Sequence, residues 1–230
     1  MDTKEALLCA KICRLTYVDK YEFKDFQLTA RFENKGTDTQ GIFGVAYGNN
    51  AVIAFRGSEE TSIADWITDL KFIKQEYPYA GTETKNIKVH HGFMEAYRSI
   101  RDAVLKEAKS IKHKRIIITG HSLGAALAML SALDINHNVP GKEIVCYTFG
   151  APKVGNKEFV SSYNKNIPNT FRIVNAGDYI ADLPPGSFEH CGQLCSVGEA
   201  IESSFLDFTA KVKAHIPNTY IEALQNLLKG

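Results

Sequence analysis

The sequence predicts an α/β fold: a mostly parallel sheet with helices on both faces, preceded by an antiparallel hairpin. Apolar, β-branched segments alternate with helical patterns between residues 93 and 175, as expected of parallel strands joined by helices. Two apolar segments nearer the N-terminus flank the turn sequence Gly48-Asn49-Asn50, which favours a hairpin. At 230 residues, one domain over residues 1–230 is the simplest organisation.

Each element follows from its own pattern. Residues 6–13 have the pattern of an amphipathic helix, and the long helix over residues 93–111 repeats its apolar positions at spacings of three and four. Pro217 marks the first turn of a last helix, within a segment beyond residue 198 that is predicted to be helical. The other predicted elements are strands at 41–47, 51–55, 115–120, 144–149 and 170–175, and helices at 123–135 and about 155–164.

One serine lies where a predicted strand passes directly into a helix, in the sequence Gly120-His121-Ser122-Leu123-Gly124. A Gly-x-Ser-x-Gly turn holds its serine in strained backbone geometry with the hydroxyl above the sheet. The glycines allow the strand and the helix to pass closely. The N-terminus of the helix offers N–H groups to a developing oxyanion, and the Leu123 N–H is one of them. Ser122 is therefore predicted to be a nucleophile.

A nucleophilic serine needs a base and an acid that orients the base, and the chain offers two of each. Asp178 lies just past the strand at 170–175, nearer to its end than Asp182, and is favoured over Asp182 because rigid supports position reacting groups best. The downstream histidines are His190 and His215, the latter in a predicted loop before the last helix. Chemistry alone does not choose between these histidines.

Five motifs, in this order, resemble those of the class 3 (fungal-type) lipase family, which has the α/β-hydrolase fold. The resemblance extends from Leu7 to about Leu228. Two positions depart from the family pattern, where Ala125 replaces a glycine and Ala181 a proline. The motifs are Ala54-Phe55-Arg56-Gly57-Ser58, Val89-His90-His91-Gly92-Phe93, Gly120-His121-Ser122-Leu123-Gly124, Phe149-Gly150-Ala151-Pro152-Lys153-Val154-Gly155-Asn156 and Asn175-Ala176-Gly177-Asp178.

The resemblance implies a role for each matching residue. Ser122 corresponds to the nucleophile, Asp178 to the acid and His215 to the base, whereas His190 corresponds to a histidine that the family places in a strand. Ser58 corresponds to the first oxyanion-hole residue, with Leu123 N–H as the second donor. From the residues alone, Ser58 is also explained as a cap for the segment that follows it, and the two roles are compatible.

The segment after Ser58 is predicted to be a short amphipathic helix with one apolar stripe. The stripe consists of Ile63, Trp66, Ile67 and Leu70, and acidic residues occupy the opposite side. This segment, at about 58–70, resembles the lid of the family, which would cover the serine in water and turn its stripe outward at a lipid–water interface. The alternative is a surface helix that packs its stripe permanently on the core.

Composition excludes several other classes of protein. A net charge of +1 gives no reason to expect nucleic acid as a partner, and no segment is as long as a membrane span. The N-terminus does not read as a secretory signal, so we expect a soluble chain that is cytoplasmic or whose signal has been removed. We find no metal-ligand spacing and expect no cofactor. Cys191 and Cys195 are close enough in sequence to form a bridge.

These observations favour a serine carboxylic-ester hydrolase that works through an acyl-enzyme, with triacylglycerol as the first-choice substrate. The lipid–water interface would be a transient partner. The second hypothesis is a carboxylesterase or feruloyl-type esterase that acts on soluble esters, and the third is a non-catalytic lipid-binding module. The sequence leaves acyl length and oligomeric state open.

Overall fold

A computed structural model of the chain describes residues 1–18, 24–46, 49–58, 71–79, 85–199 and 208–229. Within these ranges, one seven-stranded sheet forms the centre of the molecule, and two short strands pair separately. The strands are β1 (Phe26–Asn34), β2 (Thr39–Ala46), β3 (Asn50–Phe55), β4 (Lys74–Glu76), β5 (Lys88–His90), β6 (Arg115–His121), β7 (Glu143–Phe149), β8 (Thr170–Asn175) and β9 (Gln193–Val197).

The central sheet has the order β1-β2-β3-β6-β7-β8-β9. Its first three strands pair antiparallel, and from β3 to β9 every neighbouring pair is parallel. The prediction of a mostly parallel sheet preceded by an antiparallel hairpin is therefore confirmed. The remaining pair, β4 with β5, is antiparallel and was not predicted.

Helices cover both faces of the sheet, as predicted. One buried apolar cluster joins α2, α3 and α4 to the sheet, and a second joins α1 and α6 to its other face. The helices are α1 (Thr3–Leu15), α2 (His91–Ser110), α3 (Leu123–Asn138), α4 (Lys157–Asn166), α5 (Phe208–His215) and α6 (Pro217–Leu227), with a 3₁₀ turn at Tyr179–Asp182.

Three features differ from the sequence-based expectations. Strands β1 and β9 were missed because they lie at the two edges of the sheet and expose most of their residues, so they lack an apolar run. His215 is the last residue of α5 rather than part of a loop. His190 follows a single bridge residue and does not lie in a strand.

The buried Asp134 side chain ties α3 to α2. It receives two hydrogen bonds from the Arg101 guanidinium at 2.7 and 3.0 Å, one from the Tyr97 hydroxyl at 2.6 Å and one from the Asn138 amide at 2.7 Å. The side chain of Asp134 is fully buried. Because its charge is paired and its oxygens are hydrogen-bonded, burial of this carboxylate is tolerated, and it fixes the position of α3.

The structure also bears on the cysteines and on membrane insertion. All five cysteines lie in the described ranges as free thiols, so Cys191 and Cys195 do not form a bridge. Among the helices described here, none combines the length and the apolar character needed to cross a membrane.

Candidate active site

Ser122 lies at the tip of the turn between β6 and α3, with φ of 57° and ψ of −128°. A residue with a Cβ pays about 1–2 kcal/mol for a left-handed backbone of this kind. Tight packing maintains it: a Cβ on Gly120 would lie 2.1 Å from the Gly124 carbonyl oxygen, and one on Gly124 would lie 2.3 Å from the Phe55 carbonyl oxygen. Both glycines of the motif are therefore required sterically.

His215 and Asp178 form a buried pair at the same end of the sheet. His215 Nδ1 lies 2.7 Å from Asp178 Oδ2, and both side chains are fully buried. A carboxylate only accepts hydrogen bonds, so Nδ1 carries the hydrogen, and in the neutral ring Nε2 is left as an acceptor. The pair thus selects the tautomer that a general base needs.

Asp178 is held by further donors. Its Oδ1 accepts from the backbone N–H groups of Ile180 at 3.0 Å and Ala181 at 3.3 Å, and the Tyr220 hydroxyl donates to Oδ2. Burial opposes ionisation of this carboxyl, but the charge and hydrogen bond of His215, with the hydroxyl of Tyr220, outweigh it and place the pKa of Asp178 below its ordinary value. Asp178 is therefore a fixed anion beside His215.

Ser122 Oγ and His215 Nε2 are among the buried polar atoms that face no hydrogen-bond partner in the described part of the chain. The rings of His121 and His215 lie 4.6 Å apart between centroids, which places His215 beside the serine turn. An unpaired buried polar group costs about 1–3 kcal/mol, so each one calls for an explanation, and a role in chemistry is one such explanation. This turn thus brings together an unpaired hydroxyl and an unpaired imidazole nitrogen.

The competing residues lie apart from this pair. Asp182 Oδ1 is 3.9 Å from His190 Nε2, and the Asp182 side chain is 72% exposed. Burial, with the positive charges of Arg172 and Lys153, lowers the pKa of His190 to about 3. The structure therefore joins Asp178 to His215 and not to His190.

Leu123 directly follows Ser122, and Ser58 directly follows a residue whose backbone lies close to the serine. A Cβ on Gly57, the residue before Ser58, would lie only 3.2 Å from Ser122 Cβ. Leu123 is the first residue of α3, and its N–H has no acceptor within the helix. The sequence-predicted lid residues Ile63, Trp66, Ile67 and Leu70 lie outside the described residues.

Sequence reasoning missed four residues that shape this site. Tyr220 donates to Asp178, and Tyr17 and His121 hydrogen-bond each other beside the serine turn. Gly150 has φ of +57°, and a Cβ there would lie 2.7 Å from His215 Cε1. Gly150 and His121 had a sequence signal, because both lie in motifs used for the resemblance; Tyr17 and Tyr220 are brought in by tertiary packing.

A metal centre finds no support in the described ranges, which hold no group of three or more histidine, cysteine or acidic side chains arranged to bind an ion. The chemistry available here is that of a hydroxyl, an imidazole and a carboxylate.

Comparison with known proteins places this site in a family. The chain is 35% identical over 167 residues to a lipase of Rhizomucor miehei, covering 64% of this chain and 44% of that protein. It is 33% identical over 202 residues to a secreted mono- and diacylglycerol lipase of Malassezia globosa, covering 80% of this chain and 64% of that protein. The chain thus spans about half to two-thirds of the length of these relatives.

The fold is shared as well. The structure of Rhizomucor miehei triacylglyceride lipase matches 84% of this chain and 78% of its own, with a TM-score of 0.69 and 29% sequence identity. This supports the predicted α/β-hydrolase fold. The model of the family described as "Lipase (class 3)" matches residues 52–188, more than half of the sequence. The chain therefore belongs to the class 3 lipase family.

Proposed function

We propose that this chain hydrolyses acylglycerol esters through an acyl-enzyme on Ser122, with triacylglycerol as the expected substrate. One observation carries the proposal: Ser122 Oγ and His215 Nε2 are both buried without a partner, while Asp178 holds the other nitrogen of the same imidazole. This arrangement leaves the hydroxyl and the basic nitrogen available to each other and to a substrate carbonyl.

The proposed reaction begins when Ser122 Oγ attacks the ester carbonyl carbon and His215 Nε2 takes the hydroxyl proton. Asp178 stabilises the imidazolium. The backbone N–H groups of Ser58 and Leu123, with the Ser58 hydroxyl, bind the oxyanion of the tetrahedral intermediate. The intermediate collapses, the C–O bond to the alcohol breaks, and the alcohol leaves with the proton from His215.

The second half of the reaction repeats these steps with water. His215 takes a proton from a water molecule as its oxygen attacks the acyl carbon. The Ser122 ester bond then breaks, the proton returns to Ser122 Oγ, and the carboxylic acid is released. No group other than these side chains and backbone donors is needed.

The substrate class rests on family membership and on two exposed apolar residues that follow the proposed lid segment in the sequence. The segment at about 58–70 is proposed to be a lid, with Ile63, Trp66, Ile67 and Leu70 as its apolar stripe, within a single domain over residues 1–230. Phe72 and Ile73, which follow this segment, are 52% and 54% exposed. Adjacent exposed apolar side chains of this kind favour contact with a lipid surface.

The proposal is tested in two stages. A fluorescent alkyl phosphonate should label the wild type at Ser122, mapped by peptide mass spectrometry, and should leave Ser122→Ala unlabelled. Folded protein that does not react would point to a lipid-binding module without catalysis.

The second stage separates lipase from esterase. Hydrolysis of p-nitrophenyl esters and of tri-, di- and monoacylglycerols is measured below and above the solubility limit of each. A lipase with a lid should become faster once droplets form. A preference for short soluble esters, with no rise at that limit, would contradict both the triacylglycerol assignment and the lid.

A further inference from the structure

Three hydrogen bonds connect the main chain of Gly57 to the main chain of His215. The Gly57 N–H lies 3.1 Å from the Tyr17 hydroxyl oxygen, this hydroxyl lies 3.0 Å from His121 Nδ1, and His121 Nε2 lies 2.5 Å from the His215 carbonyl oxygen. Tyr17 follows α1, and His121 ends β6. We call these three bonds the Tyr17–His121 chain.

In the Tyr17–His121 chain, the donor and the acceptor of each hydrogen bond can be assigned in only one way. A carbonyl oxygen only accepts, so His121 Nε2 carries the hydrogen that goes to His215. Burial, with the nearby charge of His215, lowers the pKa of His121 to about 3, so its ring is neutral at pH 7 and Nδ1 is an acceptor. Tyr17 therefore donates to His121, and its oxygen accepts from Gly57.

The Tyr17–His121 chain adjoins Ser58, Ser122 and His215, which the proposed mechanism uses. Gly57 directly precedes Ser58, and His121 directly precedes Ser122. A Cβ on Gly57 would lie 2.4 Å from the Tyr17 hydroxyl oxygen and 2.5 Å from the His121 carbonyl oxygen. The Gly57 backbone is therefore packed tightly against both residues. His215 is held at its carbonyl by His121 and at its ring by Asp178.

We propose that Tyr17 and His121 are positioning residues that hold the Ser58 backbone and the His215 main chain at fixed places around Ser122. This inference rests on the proposed function, since it takes Ser58 as an oxyanion donor and His215 as the base. Oxyanion donors stabilise charge that exists only in the transition state, and they do so only at the correct distance. Loss of the Tyr17–His121 chain should therefore lower kcat rather than raise KM.

Tyr17→Phe tests the chain with the smallest change. The ring and its edge contact with His121, at 6.2 Å between centroids, are retained, while the hydroxyl is lost. We expect kcat on a soluble p-nitrophenyl ester to fall by about 10- to 100-fold, with KM changed by less than about twofold. Affinity for a trifluoromethyl ketone, which forms a tetrahedral adduct with serine, should fall by about the same factor as kcat.

Tyr163→Phe is the matched control. Like Tyr17, Tyr163 has a hydrogen-bonded hydroxyl, at 3.0 Å from Thr170 Oγ1, but it lies on α4 and is fully buried, whereas Tyr17 is partly buried. Tyr163→Phe should lose at least as much thermal stability as Tyr17→Phe and keep the wild-type kcat and ketone affinity. This comparison separates positioning from a general loss of stability.

A double variant tests whether Tyr17 and His121 act through one chain. His121→Gln keeps a donor close to the Nε2 position, and so the bond to His215, but removes the acceptor for Tyr17. Both substitutions should therefore lower kcat by breaking the same hydrogen bond. The kcat of the double variant should then equal that of whichever single variant has the lower kcat. Losses that multiply would contradict a shared chain.

Phosphonate labelling distinguishes the two ways in which the idea can fail. If wild-type Ser122 does not react, the proposed function and the positioning role both fall. If it reacts normally and Tyr17→Phe keeps kcat and ketone affinity within about twofold, only the positioning role is overturned. A Tyr17→Phe variant that loses activity only through raised KM would overturn it too.

Discussion

The hydroxyl of Tyr220 donates to Asp178 Oδ2, the same oxygen that binds His215 Nδ1. Tyr220 lies on α6, the helix that begins two residues after His215. One carboxylate oxygen thus receives a donor from the proposed base and a donor from the element that follows it. This shared acceptor links the position of α6 to the orientation of the imidazole.

Tyr220→Phe should weaken catalysis without abolishing it. Asp178 loses one donor to its charged form, so its pKa should rise and its hold on His215 should loosen. We expect kcat to fall by about tenfold with little change in KM. Ester hydrolysis under saturating substrate is the measurement. Tyr77→Phe, which removes a buried hydroxyl 2.7 Å from the Leu130 carbonyl oxygen, is the control and should keep its kcat.

Gly150→Ala should damage the site directly. The new Cβ would lie 2.7 Å from His215 Cε1 and 2.8 Å from Asp178 Oδ2, so the pair must move. A displacement of this size lowers kcat by about 100-fold or more. Gly141→Ala carries the same backbone penalty, since Gly141 has φ of +82°, but its Cβ would meet nothing within 4 Å. An equal loss of activity in both variants would contradict the steric explanation.

Replacement of Ser122 should separate activity from stability. Ser122→Ala and Ser122→Gly should each reduce kcat by about 10⁴- to 10⁶-fold. Both remove the unpaired hydroxyl, but only glycine also relieves the positive φ. Urea unfolding should therefore show Ser122→Gly to be about 1 kcal/mol more stable than Ser122→Ala. A glycine variant less stable than the alanine variant would show that the turn is not strained.

Asp134→Ala should lower the free energy of unfolding and leave kcat nearly unchanged. It leaves the Arg101 guanidinium and the Tyr97 hydroxyl without the carboxylate that they contact, at a cost of about 3–5 kcal/mol. Urea unfolding is the measurement, and kcat at low temperature should stay near the wild-type value. Asp102→Ala, at an exposed position on α2, should change the free energy of unfolding by less than about 0.5 kcal/mol.

Acid should destabilise this protein through three histidines, of which His90 and His121 are buried and His190 is partly buried. Burial is the main cause that lowers the pKa of His90 to about 4, and those of His121 and His190 to about 3, from 6.5. Between pH 6.5 and about 4 the unfolded chain binds protons that the folded chain does not, so stability falls as the pH falls.

The measurement is the free energy of unfolding in urea at several pH values in this window. His190→Gln removes one of the three groups and should make the pH dependence less steep. His137→Gln changes an exposed histidine and should leave the slope as in the wild type. A His190→Gln variant with the wild-type slope would contradict the assignment.

The parts of the fold and site that were predictable are those with local signals. The serine turn was predictable because its strand, glycines and helix are contiguous in the sequence. Asp178 was predictable because it lies just past the end of β8. His215 needed the family resemblance, since 37 residues separate it from Asp178 and no spacing rule connects them. The edge strands β1 and β9 were not predictable, because most of their residues are exposed to solvent and neither strand has an uninterrupted apolar run.

The supporting residues could not be predicted for a different reason. Tyr17 meets His121 across 104 residues of sequence, and Tyr220 meets Asp178 across 42. A tyrosine beside apolar neighbours has the same local pattern whether its hydroxyl supports a reacting group or only fills space. Its role follows from which helix packs against which strand end, and the pattern of single elements does not contain that information.

The order of the chain has a consequence for its synthesis. His121 and His215 are 94 residues apart, and His215 and Tyr220 come from α5 and α6, which follow every strand of the central sheet. A nascent chain on the ribosome carries the residues of the serine turn before its proposed base has been translated. On the proposed mechanism, Ser122 therefore gains its base only after α5 and α6 have been synthesised and docked beside the serine turn.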